Sequence, residues 1–238
     1  MPVPDIQELR ATFHGDLFTP ETSGYDDRCR LWNASVVKRP ALIARCSGVA
    51  DIVAAVNFGR ANAMLTAIRG GGHNVGGRAL CDDGLVIDLS RMRAVHVDQA
   101  KRTVRVQGGA TLGDLDRETH AFGLAVPSGV APTTGIGGLT LGGGVGWLVR
   151  KYGMSIDNLL SCQIVTADGE VLTASRAAHD DLFWALRGGG GNFGVVASFE
   201  FQAHPVHTVL GGLVLSHVRP ASTCSATSGD SWSPPPRN

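Results

Sequence analysis

The sequence predicts an α+β fold in two lobes, and three observations carry that expectation. A strand–helix–strand order runs through residues 41–89, as in a βαβ unit. Apolar and polar residues then alternate at 94–107, 163–174 and 195–201, the period of antiparallel strands. Glycine, 32 of 238 residues, gathers in three dense clusters instead of spreading as it does in a flexible linker. The change of pattern puts the split between lobes near Arg91.

Taken in order, Ile6–Phe13 predicts a short helix, followed by a polar, turn-rich segment. Ala41–Cys46 is a compact apolar run expected to form a buried strand. Ser47 is expected to cap a helix over Val49–Ala63, with Ile52, Val53 and Val56 on one side. Leu65–Ile68 and Leu85–Leu89 are the next strands. Ala94–Asp98 and Thr103–Gln107 flank Gln99–Arg102 as a hairpin, and a helix over Leu112–Phe122 follows. Gln163–Ala167 and Val171–Ala174 enclose Asp168-Gly169, the strongest hairpin signal in the chain. Asp180–Leu186 predicts a helix and Val195–Phe201 a strand. Val209–Leu215 is again strand-like. From Ser216 onward large apolar residues almost vanish and three prolines stand together, so disorder is expected there.

Composition bounds the function. Lys plus Arg equals Asp plus Glu at 21 each, which gives no electrostatic reason for nucleic acid or an anionic membrane as partner. Five cysteines lie far apart with no CxxC pair, so no zinc site or disulfide framework is expected, and no metal is assigned. The N-terminal residues lack the apolar core of a signal peptide, and no apolar run suits a membrane span. A cytoplasmic location is the resulting expectation.

The glycine clusters are Arg69–Gly77, Gly135–Gly146 and Gly188–Gly194. Glycine lets a backbone come close to a ligand, so that successive N–H groups converge on phosphate oxygens. One such loop is commonly a tight turn. Three in one chain point to a long ligand threaded between them, and a dinucleotide is the natural candidate. Gly189–Gly194 fits GxGxxG, but a helix precedes it and a strand follows, the inverse of a Rossmann site. No GxxxxGK[ST] or GxSxG occurs, which removes the P-loop and the hydrolase elbow. The first cluster follows a strand directly and carries His73 beside Arg69. A lone histidine is usually structural, but this one stands where a phosphate-bearing ligand comes closest.

RGGGHNVGG, GGLTLGGGVGWLVRKYGMSIDNLL and LFWALRGGGGNFGVV, in this order, resemble the FAD-linked oxidases of the vanillyl-alcohol-oxidase fold. The likeness is to the 6-hydroxynicotine oxidase and berberine-bridge-enzyme-like branch, and runs from about Val36 to Val206. It implies a two-lobed PCMH-type FAD-binding domain, with a small βαβ lobe and a larger mixed or antiparallel α+β lobe. It also implies FAD as cofactor, bonded from the ring of His73 to the flavin 8α-methyl. Arg69, Gly70, Gly71, Gly72 and Asn74, with Gly76 and Gly77, match the loop that wraps the pyrophosphate. Gly135, Gly137, Gly138, Thr140, Gly142, Gly143, Gly144 and Gly146 match the segment beside the pyrophosphate, ribityl and isoalloxazine. Asn192, Gly194, Val195 and Val196 match the stretch near the adenine. Some relatives carry a second flavin link through a cysteine in a GVCPT-like segment. Ala131 stands there in Gly129–Thr133, so a single linkage is expected.

The implied reaction is oxidation of a small-molecule C–H, alcohol or amine carbon by hydride transfer to the flavin, with reoxidation by dioxygen or another acceptor. The family continues into a substrate domain, which sets the expected organisation. A lead-in spans 1–35, and the FAD-binding domain spans 36–206 in lobes of about 36–90 and 91–206. The start of a substrate domain covers 207–215, and a disordered tail covers 216–238. The abrupt change at Ser216 suggests a truncated or frame-shifted gene, leaving an FAD-binding fragment as the alternative to a working oxidase. No catalytic base is named; Tyr152 is expected to pack and Asp157 to cap the Ile156–Leu160 turn.

Overall fold

Strand β1 (Asp16–Phe18), β2 (Leu42–Arg45), β3 (Thr66–Arg69) and β4 (Leu85–Asp88) form the first sheet, in the order β1-β2-β4-β3. The computed structural model describes residues 5–206 and 208–209. β4 lies between β2 and β3 and runs parallel to both, while β1 joins antiparallel at the edge. Every residue of β4 is buried, as a parallel strand covered on both faces requires. The βαβ unit predicted over 41–89 is therefore present, with a third parallel strand inserted between its two.

Helices α1 (Gln7–Thr12), α2 (Tyr25–Arg28) and α3 (Val49–Ala61) accompany this sheet. α3 lays Ile52 and Ala55 on a core shared with Leu42, Ala44, Leu85 and Ile87. Its start differs from expectation. Gly48, not Ser47, is the N-cap, and no side chain caps the helix. Asp51 takes the Ser47 groups instead: the Ser47 N–H and hydroxyl donate to its carboxylate at 2.8 and 2.7 Å, and the His14 N–H reaches the other oxygen at 2.9 Å. A carboxylate in the first turn outcompetes helix N–H groups for the hydroxyl because a charge-assisted bond is the stronger one.

The second sheet is antiparallel throughout. β5 (Val95–Asp98), β6 (Thr103–Gln107), β8 (Leu159–Val165), β9 (Val171–Ser175) and β10 (Val195–Gln202) order as β5-β6-β10-β8-β9. Both predicted hairpins are there. β7 (Leu124–Ala125) and β11 (His204–Pro205) make a separate two-stranded pair. β10 is central and carries a bulge. Val196 pairs with Ile164 and Ser198 with Gln163, so Ala197 is one residue more than β8 provides. Val196 and Phe199, three positions apart, consequently face the same core, while Val195 and Ala197 face the core of the first sheet.

Helix α4 (Leu112–His120) starts at a capping box, with Thr111 and Asp114 exchanging side-chain and backbone bonds. Arg93 grips the same Asp114 through two bonds of 2.8 and 2.7 Å. α5 (Ile136–Leu141), α6 (Val149–Tyr152), a 3₁₀ turn at Ser155–Asn158 and α7 (Asp180–Leu186) complete the set. The α+β class is as the sequence predicts. The strand expected over Val209–Leu215 and the tail beyond it fall outside the described residues, save Val209.

Candidate functional site: a glycine-lined cleft

β3 is an edge strand, and the chain leaves its C-terminal end directly into the first glycine cluster. Parallel sheets present loops for ligands at that end. Around this exit lies a cleft of about 720 Å³, a size usual for small-molecule sites. One wall is Thr66–Ile68 and the loop Gly70–Asn74, and another is Thr134–Gly142. Gly188–Gly194 closes a third side, with Leu89, Val196 and Phe199 below.

The loops touch each other through bare backbone. A Cβ built on Gly71 would fall 2.6 Å from Gly135 Cα, inside contact distance, so both positions are restricted to glycine by close approach. The Gly190 N–H donates to Leu141 O at 2.9 Å and joins the third cluster to the second. Gly108, just past β6, lies between the first and second clusters, its carbonyl 3.2 and 3.0 Å from where a Cβ on Gly70 and on Gly137 would stand, and its N–H donates to Ala197 O at 2.8 Å. Other glycines of the cleft have no close neighbour, although at Gly188 and Gly190 a positive φ, 127° and 72°, favours glycine. A Cβ on Gly138, Gly188, Gly190 or Gly191 would meet nothing within 4 Å, although all four line the cleft. Their open backbone faces the cavity.

Of the residues singled out in the sequence, Gly70, Gly71, Gly72, His73 and Asn74 line the cleft with Gly135, Gly137, Gly138 and Gly142. Asn192, Gly194 and Val196 join them from the third cluster. The remainder stand behind the surface. The Arg69 guanidinium donates to the carbonyls of Arg28 and, at 2.9 Å, of Arg30, so it clamps the lead-in instead of facing the cavity. Gly76 packs beside the Asn74 side chain and Gly77 on Val36. Thr140 is buried on α5, and Val195 belongs to the core of the first sheet. Gly143 packs near Met154, Gly144 against Ser155 and Gly146 against the Ser128 carbonyl. Gly108, Leu89, Thr134 and Phe199 are contributors the sequence did not single out. The Gly108-Gly109 pair ending a predicted strand is the one readable signal among them.

Polarity is sparse and specific. Among the described lining residues only His73 and Arg78 carry an ionisable side chain. The Arg78 N–H donates to Asn74 Oδ1 at 3.1 Å, and the Gly77 N–H to Asn74 O at 3.0 Å, which folds the loop around Asn74. Asn192 donates to Gly189 O at 2.8 Å and braces the third loop in the same way. Trp32 stacks on the His73 ring with centroids 5.2 Å apart and planes 22° apart.

Tyr152 and Asp157 lie outside the cleft lining. Tyr152 stacks on His204 at 4.1 Å, and Asp157 accepts the Met154 N–H at 2.8 Å. Asn158 donates its amide to the carbonyls of Tyr152 and Met154, which leaves its Oδ1 as acceptor for His204 Nε2–H at 2.6 Å. Burial first, then the nearby Lys151 charge, hold the His204 imidazole below the ordinary histidine range. Ala131 is exposed in the turn before Thr134. Cys162 is buried on β8, where desolvation pushes its thiol up to about 12.

The FAD binding domain family matches residues 40–175. An FAD-linked oxidoreductase of Dictyostelium discoideum is 42% identical over 89% of this chain, which covers 47% of that protein. The crystal structure of 6-hydroxy-D-nicotine oxidase from Arthrobacter nicotinovorans superposes with a TM-score of 0.80 at 41% identity, over 81% of this chain and 43% of that one. Glucooligosaccharide oxidase from Acremonium strictum, described with a 6-S-cysteinyl, 8α-N1-histidyl FAD, gives 0.76 at 35% identity, over 79% of this chain and 40% of that one. The chain thus spans about half the length of the curated relatives it matches. No helix among the described residues is long and apolar enough to cross a membrane.

Proposed function

Because the chain belongs to the FAD binding domain family, we propose that its glycine-lined cleft holds FAD, linked through His73, as the flavin-binding half of an FAD-linked oxidoreductase. The observation that carries this is the bare backbone at Gly138 and Gly191, which lines the cavity and where an added Cβ would meet nothing within 4 Å. Such a surface suits a diphosphate whose oxygens take several N–H bonds at once. Arg78, at the same rim, supplies the cation for it.

When bound, FAD supplies hydride acceptance from a small-molecule carbon and reoxidation by dioxygen. This chain's residues do the rest. Loops 70–74 and 188–194 hold the diphosphate by backbone donors. Ile68, Leu89, Val196 and Phe199 offer apolar surface that excludes water from the ring system. His73 fixes the isoalloxazine end by a bond no exchange can break. Ala131 carries no sulfur, and Cys162 is buried in the core where desolvation raises its thiol, which favours a single link through His73 over a second one at either position.

A specific observation favours a second reading, a module that holds FAD without turnover. No carboxylate, tyrosine, lysine or cysteine is among the described lining residues, so none of them is placed to act as a base on substrate. Acid precipitation tests the holding role: the wild-type pellet stays yellow, and His73→Ala releases the colour. Flavin found wholly in the supernatant of the wild type overturns the linkage. Anaerobic addition of 6-hydroxy-D-nicotine or a glucooligosaccharide separates the readings. Loss of the flavin's visible absorbance supports the oxidoreductase, and an unchanged spectrum with both supports the holding module.

A further inference from the structure

Trp32 is a large aromatic left 64% exposed, yet its indole stacks on the His73 ring. It lies before the segment matched by the family, which begins at residue 40. Its placement is not a loose surface contact. The Arg69 guanidinium donates to the Arg28 and Arg30 carbonyls, the Trp32 N–H donates to Gly72 O at 3.3 Å, and the Asn33 amide donates to Val75 O at 2.8 Å. Leu31 packs its δ carbon where a Gly72 Cβ would sit, 3.3 Å away. Residues 28–33 are thus strapped along the His73 loop on both sides of the histidine. No hydrogen bond from the described residues holds the imidazole itself. The stack is what orients it.

From this geometry we infer that Trp32 is the positioning residue for flavin attachment: it holds the His73 imidazole in the orientation from which its ring nitrogen bonds to the flavin. This role presupposes the histidyl linkage proposed above. In the attachment step the 8α-methyl carbon loses one hydrogen, the imidazole nitrogen loses its proton, and a C–N bond joins the two. The two electrons and two protons released pass to dioxygen, which leaves as hydrogen peroxide. An imidazole on a glycine-flanked loop samples many orientations about χ1 and χ2. Stacking on an indole, worth a factor of several on its own, removes most of them, and nucleophilic steps depend steeply on approach geometry.

The test uses the flavin-free chain mixed with FAD, sampled over time. Flavin retained after acid precipitation gives the rate of attachment, and quenching of FAD fluorescence gives the affinity. Trp32→Ala is expected to attach flavin about tenfold more slowly while its FAD affinity stays within about threefold. Trp32→Phe, which restores an aromatic face, is expected to recover most of the rate. Labelled histidine provides a reading independent of flavin: the His73 ring protons lose their upfield ring-current shift in Trp32→Ala and keep part of it in Trp32→Phe. If Trp32→Ala fails to fold, Trp32→Leu keeps the bulk, lacks the aromatic face and carries the same two outcomes. A wild-type chain that retains no flavin overturns the histidyl linkage and this role with it. A wild-type chain that retains flavin, beside a Trp32→Ala chain that acquires it as fast, overturns only the role of Trp32.

Discussion

Gly71 and Gly135 stand backbone to backbone, each so placed that a Cβ on one would lie 2.6 or 2.7 Å from the Cα of the other. The first and second glycine clusters therefore meet with no side chain between them. Gly71→Ala is expected to push the two loops apart and cost about 2–4 kcal/mol of stability, measured by urea unfolding.

Gly138→Ala separates folding from binding. Gly138 lies in α5 with open space before it, so the added methyl raises helix propensity and stability by up to about 1 kcal/mol. The same methyl occupies the cleft. FAD affinity, followed by fluorescence quenching, should fall by at least about tenfold, since a tenfold loss corresponds to only ~1.4 kcal/mol. Unaltered affinity would move the ligand to another surface.

Arg78→Ala addresses the charge. Arg78 makes no ion pair among the described residues and is the cleft's arginine. Its loss is expected to weaken FAD binding about fivefold at low ionic strength and to reduce the salt dependence of binding, because an exposed cation near a diphosphate is screened by salt. Titration at two salt concentrations reads both effects.

Asp51→Ala removes the acceptor of three bonds, from the His14 N–H and both donors of Ser47, in a residue only 2% exposed. Leaving those donors without a partner is expected to cost about 3 kcal/mol and to loosen α1 and the start of α3 together. A drop of that size in unfolding free energy, with FAD affinity preserved, is the expected result.

Acid should act through the same kind of group. Burial pushes the carboxyls of Asp51 and Asp114 up, but the Ser47, His14, Thr111 and Arg93 donors outweigh it and hold both below the ordinary range. A carboxyl whose folded value is depressed stabilises the fold above its unfolded value, about 3.9, and that stabilisation fades as pH falls through the folded value. The urea midpoint should stay level from neutral pH to about 5, then decline below about 4. Asp114→Asn should flatten part of that decline.

Local patterns made much of the molecule legible. Continuous apolar runs mark β2 and β4, Asp-Gly marks the β8–β9 hairpin, and the polar-to-apolar rhythm of α7 marks its limits. What escaped depends on partners far along the chain. β1 is three residues on an edge, too short for any period, and exists because β2 offers it an unpaired side. β4 slips between β2 and β3, a choice of neighbours no window of sequence records. The site divided the same way. His73 and the glycines stood out by composition, whereas Phe199 and Leu89 look like any core residue until the loops close over them. Arg69, adjacent to the glycine run, was expected at a phosphate; its long side chain found two carbonyls of a preceding segment instead.

The extra residue in β10 has one more consequence. The floor of the cavity is set by how many residues lie between Val196 and Phe199, as much as by which they are. Deleting Ala197 would leave Val196 and Phe199 two positions apart, on one face by ordinary alternation, but would remove the bulge and with it the bend that it gives the strand. Substitutions there exchange one side chain. Loss of the bulge re-aims Val196 and Phe199 together by straightening the strand beneath them, so this strand should tolerate altered spelling better than altered count.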